Sequence, residues 1–273
     1  MTGKVWLNGT IVSEEEARIA PGDRGFLLGD GLFETMRVAE GQIPHLERHL
    51  TRLEDGCATL RLPPPQRSLM QQAVADLAAA SRIAHGSMRL TVTRGCGPRG
   101  LLPSPDMKPT VLLTCALATQ APLKPVRLGV SRYVRDGSSP LSRVKSLNYL
   151  PMVMARMDAV AAGFDDALLP GFRGVVAEAS ASNILLLLNG ELVTPLVEDG
   201  ALPGTSRARL LEMGLCVERS VSLGQLGAVK AAWLVSALSV QRVAAIDDFL
   251  MGEDPLMEHT LRESLFGLNA SPE

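Results

Sequence analysis

Apolar and polar positions along the chain change period several times, and each change marks an element. Alternation around Asn8-Gly9, within Val5-Trp6-Leu7-Asn8-Gly9-Thr10-Ile11-Val12, predicts two short strands joined by a tight turn. From Ile43 to Leu60 the period becomes helical, because Leu46, Leu50, Leu53, Cys57 and Leu60 recur every three or four residues. The Pro63-Pro64-Pro65 run closes that helix, and an Ala- and Leu-rich stretch from Arg67 to Arg82 predicts a second. Ser87–Thr93 and Thr110–Thr114 then read as paired strands, completing an α+β unit.

Residues 116–125 carry two prolines and lose all periodicity, which places a domain boundary there. The chain is therefore expected to form an N-terminal domain over 1–118 and a C-terminal domain over 119–273. Beyond the boundary the pattern predicts a strand over Val126–Val134 and a helix over Leu147–Ala162, with Ser146 as its N-cap. Strands follow near Ala167–Leu169 and Val175–Glu178, then a hairpin turning at Asn189-Gly190. A helix is expected after Pro203-Gly204 and a last strand through Ala231–Ser236.

Composition narrows the function classes. The 273 residues hold 27 Lys+Arg against 29 Asp+Glu, a net charge of −2 with no basic tract, so a nucleic acid is not the expected partner. No apolar run exceeds the five residues of Ile184–Leu188, far short of the roughly 20 residues a membrane helix needs. Nothing in the first thirty residues has the hydrophobic core of a signal peptide, and four scattered cysteines form no C-x-x-C pair. A reduced, cytoplasmic setting is the expectation.

Two motifs invite readings that their contexts refuse. Gly95-Cys96-Gly97-Pro98-Arg99-Gly100 matches the dinucleotide fingerprint, but Leu101-Leu102-Pro103-Ser104-Pro105 cannot continue into the required helix. His45 and His49 have the spacing of a zinc pair, yet Leu46 stands where a metalloprotease has Glu and no third ligand is apparent. No metal site is expected, and both histidines are expected on the helix surface.

The chemistry-bearing segments are Lys145 in K-S-L-N-Y-L, Glu178 in E-A-S-A-S-N, Gly204 in P-G-T-S-R, and V-S-A-L-S at residues 235–239. A helix opening on Thr205 and Ser206 offers hydroxyls and free N–H groups suited to a phosphate. The turn at Ser236 offers a second anion nest. In this order, and together with G-F-L-L-G-D-G-L-F-E-T-M-R-V at 25–38 and H-L-E-R-H-L-x-R-L at 45–53, these segments resemble the fold-type IV pyridoxal-phosphate enzymes. That family, the class IV aminotransferases, includes branched-chain and D-amino-acid aminotransferases and aminodeoxychorismate lyase.

The resemblance implies a two-domain α+β fold with a smaller N-terminal α/β domain and a larger C-terminal pseudo-barrel, the cofactor pyridoxal 5'-phosphate (PLP) lying between them. Lys145 would form the Schiff base with PLP and serve as the acid/base. Glu178 would pair with the pyridine nitrogen, and Arg48, Thr205, Ser206, Ser236, Ala237 and Leu238 would hold the phosphate. Phe33, Arg99 and Ala181 would face the substrate, and Phe26 and Tyr149 would line or support the pocket. A homodimer is implied, with Arg99 serving either its own or the partner subunit's site.

Among family members the pattern fits the lyase best. D-amino-acid aminotransferases carry Arg-x-His in the loop where this chain has Arg99-Gly100-Leu101, and a Tyr where it has Phe33. Branched-chain enzymes have K-x-G-G-N-Y, one residue longer than the run from Lys145 to Tyr149. The lyase loop S-R-G-x-G-G-R-G resembles T-R-G-C-G-P-R-G at 93–100, although Ser236 stands where the lyase often has Asn. The expected reaction is conversion of 4-amino-4-deoxychorismate to 4-aminobenzoate and pyruvate. Transfer of an amino group to a 2-oxo acid is the alternative.

Overall fold

A computed structural model describes residues 3–118 and 123–267. The chain forms two compact units, Met1–Thr119 with Val144–Asn148, and Gln120–Arg143 with Tyr149–Glu273. The expected joint between residues 118 and 119 abuts residues 119–122, which lie outside the described residues. Val144–Asn148 groups with the first unit although it follows the joint, an arrangement that no single cut along the chain can represent.

The first unit begins with β1 (Lys4–Leu7) and β2 (Thr10–Ser13), joined through Asn8 and Gly9 at φ 47° and 101°. Positive φ at both central residues matches the right-handed twist of the flanking strands, which is why Asn-Gly serves here. A short α1 (Arg24–Leu28) leads into β3 (Gly31–Val38). Then come α2 (Leu46–Leu60), α3 (Arg67–Ser81), β4 (Gly86–Thr93) and β5 (Thr110–Leu117). The antiparallel sheet runs β2-β1-β5-β4-β3. One core joins Leu32, Met36, Met88 and Leu90 of the sheet to Leu50, Leu53, Met70 and Leu77 of the helices. α2 ends before the prolines, at Arg61, whose left-handed backbone (φ 50°) donates its N–H to the Ala58 and Cys57 carbonyls.

In the second unit β6 spans Val126–Val130, shorter than expected, because Ser131 turns the chain and its Oγ accepts from the Tyr133 N–H. After α4 (Leu150–Ala161) come β7 (Asp166–Gly171), β8 (Val175–Ala179), β9 (Asn183–Leu188) and β10 (Glu191–Thr194). These are followed by α5 (Thr205–Glu212), β11 (Val217–Glu218), β12 (Val229–Val235), β13 (Val240–Ile246), β14 (Phe249–Leu250) and α6 (Pro255–Phe266). Eight strands run β11-β10-β9-β12-β13-β6-β7-β8, and β14 pairs with β13. The Asn189-Gly190 hairpin forms as expected, again with both residues at positive φ.

The expected start of α4 is corrected. Tyr149 occupies the N-cap and Pro151 the first turn, where its missing N–H costs nothing. Ser146 is not the cap: it bridges Leu32, and its Oγ accepts weakly from the Asn148 N–H at 3.4 Å.

Candidate active site

Lys145 is held by backbone bonds to β3 rather than by a helix. The Phe33 N–H donates to the Lys145 carbonyl and the Leu147 N–H to the Gly31 carbonyl, both at 2.9 Å. Val144 is buried in the first core and Asn148 Nδ2 donates to the Gly29 carbonyl, so the lysine backbone is fixed on both sides. Its Nζ lies 4.5 Å from the centroid of the Phe33 ring. The Arg89 guanidinium lies 3.7 Å from the same centroid. Arg37 shares that face of β3, since strand alternation puts Phe33, Thr35 and Arg37 on one side and Leu32, Glu34 and Met36 on the other. Burial works against the charge of Arg37 and lowers its pKa.

On the opposite face of β3, Glu34 accepts from His49 Nδ1 at 2.7 Å and from Arg52 Nε and Nη2 at 2.8 and 2.6 Å. The surface position expected for His49 is therefore wrong, since it is buried against a carboxylate of the neighbouring strand. His45 is exposed, as expected. Arg48 is half-buried in the first turn of α2, and Arg99 is exposed in the loop between β4 and β5. Phe26 is 77% exposed on α1.

In the second unit Glu178 is buried on β8. Its Oε1 lies 2.9 Å from Arg135 Nε, and its Oε2 accepts from the Leu202 N–H at 2.9 Å. Arg135 is in turn fixed by the Gly200 and Ser142 carbonyls. Sequence reasoning missed Arg135, which follows no motif and meets its carboxylate only through the folding of β7 and β8.

At the start of α5, Gly204 is the N-cap and contributes no side-chain bond, leaving the first-turn N–H groups without helical acceptors. A Cβ on Gly204 would stand 1.9 Å from Asn183 Oδ1, so a side chain there would have to displace an amide that also donates to the Leu202 carbonyl. Ser206 Oγ donates to the Ser236 carbonyl at 2.7 Å, which ties the helix terminus to the turn before β13. Within that turn Ser236 Oγ accepts from the Leu238 and Ser239 N–H groups. Ala237 is half-buried, Leu238 is 43% exposed, Thr205 is half-buried, and Ala181 is exposed in the turn between β8 and β9.

These residues fit PLP chemically. A carboxylate oriented by a guanidinium and a backbone N–H is the acceptor that a protonated pyridine nitrogen requires. An uncapped helix N-terminus beside a hydroxyl-bearing turn suits a phosphate dianion. Burial pushes the Cys57 and Cys216 thiols up to about 12 and about 11, which removes both as nucleophiles. Among the described residues no cluster of His, Cys, Asp or Glu could hold a metal ion, and no helix is long and apolar enough to cross a membrane.

Comparison with known proteins agrees with this chemistry. The amino-transferase class IV family pattern matches residues 31–246. A protein of Methanocaldococcus jannaschii provisionally named a branched-chain-amino-acid aminotransferase is 35% identical over 217 residues, covering 77% of this chain and 74% of its own. The aminodeoxychorismate lyase of Vibrio harveyi is 29% identical, covering 76% of each chain. The crystal structure of 4-amino-4-deoxychorismate lyase from Pseudomonas aeruginosa superimposes with a TM-score of 0.82 at 31% identity, covering 96% of this chain and 99% of that one. The chain belongs to the class IV aminotransferase family, and it is a PLP-dependent enzyme with the two-domain α+β fold of type IV.

Proposed function

We propose that the protein is a lyase that converts 4-amino-4-deoxychorismate to 4-aminobenzoate and pyruvate. The observation that carries this reading is the positive face around Phe33, where Arg89 and Lys145 both meet the ring and Arg37 shares the strand face. A substrate with two carboxylates suits such a face, and Arg99 in the neighbouring loop is assigned to one of them. The likeness to the Pseudomonas aeruginosa lyase over nearly the whole of both chains supports the same reading.

When bound, PLP supplies an electron sink for the pair left by the breaking C–H bond. Lys145 would carry the amine that holds the cofactor and would act as the base that takes the proton from the ring carbon bearing nitrogen. The allylic C–O bond then breaks, enolpyruvate leaves and is protonated to pyruvate, with Lys145 as the donor, and the ring becomes aromatic. Atoms balance without an added reactant. Glu178, oriented by Arg135, would pair with the pyridine nitrogen. Arg48, Thr205, Ser206 and the 236–238 turn would hold the phosphate, and Phe33 and Ala181 would shape the substrate side. We infer a cytoplasmic homodimer acting in folate synthesis, for which the four free cysteines suit a reducing compartment.

A second reading, aminotransfer from a branched-chain or D-amino acid, is favoured by the 35% identity to the Methanocaldococcus jannaschii protein. Both readings use the same cofactor residues, so the products must decide. The test supplies the holoenzyme separately with enzymatically made 4-amino-4-deoxychorismate, L-leucine and D-alanine, and follows 4-aminobenzoate, pyruvate and the cofactor absorbance. Stoichiometric 4-aminobenzoate and pyruvate, lost by at least about 10³-fold in Lys145→Ala, is the expected result. Rapid conversion to the pyridoxamine form with an amino acid, and no 4-aminobenzoate, would sink the lyase reading.

A further inference from the structure

The loop between β4 and β5 carries Arg99, but its tip has little packing of its own. Leu101 and Leu102 are 83% and 87% exposed, and Arg99 is exposed beside them. The tip is instead anchored by Arg24, which is 5% exposed on α1. Arg24 Nη1 donates to the Gly100 carbonyl at 2.7 Å and Nη2 to the Leu101 carbonyl at 2.8 Å, across 76 and 77 residues of sequence. The third edge of the guanidinium, Nε, donates to Asp30 Oδ2 at 2.8 Å.

Asp30 also binds Arg94, whose Nε and Nη2 reach its two oxygens at 2.8 and 3.0 Å. Arg94 in turn donates to the Leu60 and Arg61 carbonyls at the end of α2. Burial works against the charge of Asp30, and the two guanidiniums outweigh it, holding the carboxyl below its ordinary value. The chain of bonds therefore runs from the end of α2 through Arg94, Asp30 and Arg24 to the loop tip. The foot of the loop is fixed separately, by the Arg24 N–H on the Gly95 carbonyl and by the bridge between Asp23 and Cys96.

We propose that Arg24 is a positioning residue, which latches the Arg99 loop and through it sets the affinity for the anionic substrate. A planar fork is needed for this. It satisfies two adjacent carbonyls and a carboxylate at once, whereas a lysine ammonium at the same place keeps the charge beside Asp30 and loses the pair of carbonyl bonds. The loop then samples other conformations, and each productive encounter must first order it. The inference rests on the reading of Arg99 as a carboxylate-binding residue, and the test separates the two.

The experiment compares the wild-type holoenzyme with Arg24→Lys, Arg99→Ala, the double variant and Gly100→Ala. Gly100 has φ +121° and open space where a Cβ would go, so alanine there strains the loop without touching the core. KM and kcat are measured with whichever of 4-amino-4-deoxychorismate, L-leucine and D-alanine the wild type turns over. Trypsin cleavage after Arg99 is followed by mass spectrometry in the proteins that retain that arginine. Arg24→Lys and Gly100→Ala are each expected to raise KM about tenfold with kcat within about twofold, and to speed cleavage after Arg99 by a similar factor. Arg24→Lys should add nothing to KM in the Arg99→Ala background, because both act through one contact. If Arg99→Ala raises KM while Arg24→Lys changes neither KM nor cleavage, the latch is refuted and the role of Arg99 stands. If Arg99→Ala leaves KM unchanged, the role of Arg99 falls, and affinity control by Arg24 falls with it.

Discussion

Glu178 is a buried carboxylate paired with the Arg135 guanidinium and accepting from the Leu202 N–H. Arg135 and Glu178 have side chains 12% and 8% exposed, so removing one leaves the other charge poorly solvated. Arg135→Met should therefore destabilise the protein by about 3 kcal/mol in urea unfolding, most of it the cost of the stranded carboxylate. Adding Glu178→Gln to Arg135→Met should recover part of that loss; a double variant less stable than Arg135→Met alone would show that the pair is not the source. At this scale short motifs, as at Lys145, Glu178 and Gly204, were enough to point to the family that the comparison shows. The sequence was silent on Arg135 and Arg24, because each earns its role from partners brought to it by folding, and neither stands in a distinctive local pattern.

Helices and strands show the same division. Asn-Gly turns and the leucine spacing of α2 follow from local sterics and one-sided burial, so β1, β2, β9, β10 and α2 were legible. β3 was not predicted as a strand, because Gly31–Glu34 are all buried and the period-2 contrast is absent where it would be sought. The polar residue that breaks the pattern, Glu34, fastens β3 to α2 through His49 and Arg52. Burial alone would raise the pKa of Glu34, but Arg52 and His49 outweigh it and hold the carboxyl below its ordinary value. A group whose pKa is lower folded than unfolded contributes stability above the unfolded value, near 4.3, and loses it as pH falls through the folded one. Glu34→Gln should accordingly cost about 2 kcal/mol at pH 7, and its deficit relative to wild type should shrink on acidification below about pH 4. Urea unfolding at both pH values measures this, and a deficit independent of pH would exclude the charge as its origin.

Over the whole molecule, the near-zero net charge conceals local fields, and the chain order conceals the membership of its parts. Val144–Asn148 lies within the sequence of the second unit yet completes the sheet of the first, through the Phe33 N–H on the Lys145 carbonyl, the Leu147 N–H on the Gly31 carbonyl and the burial of Val144. A chain cut between residues 118 and 123 therefore separates the first unit from a segment that it needs. Co-expressed as a tagged 1–118 fragment and an untagged 123–273 fragment, the halves should copurify, because the second fragment carries the strand-like segment that caps the edge of β3. Leu147→Pro removes the N–H that reaches Gly31 and should weaken copurification, whereas Pro151→Ala, which changes the first turn of α4 but no bond to β3, should leave it unchanged. Equal recovery of both variants would mean that the 144–148 pairing does not hold the fragments together. Lys145 is thus placed by the sheet of the first unit although it lies in sequence within the second, a relation that sequence order alone cannot express.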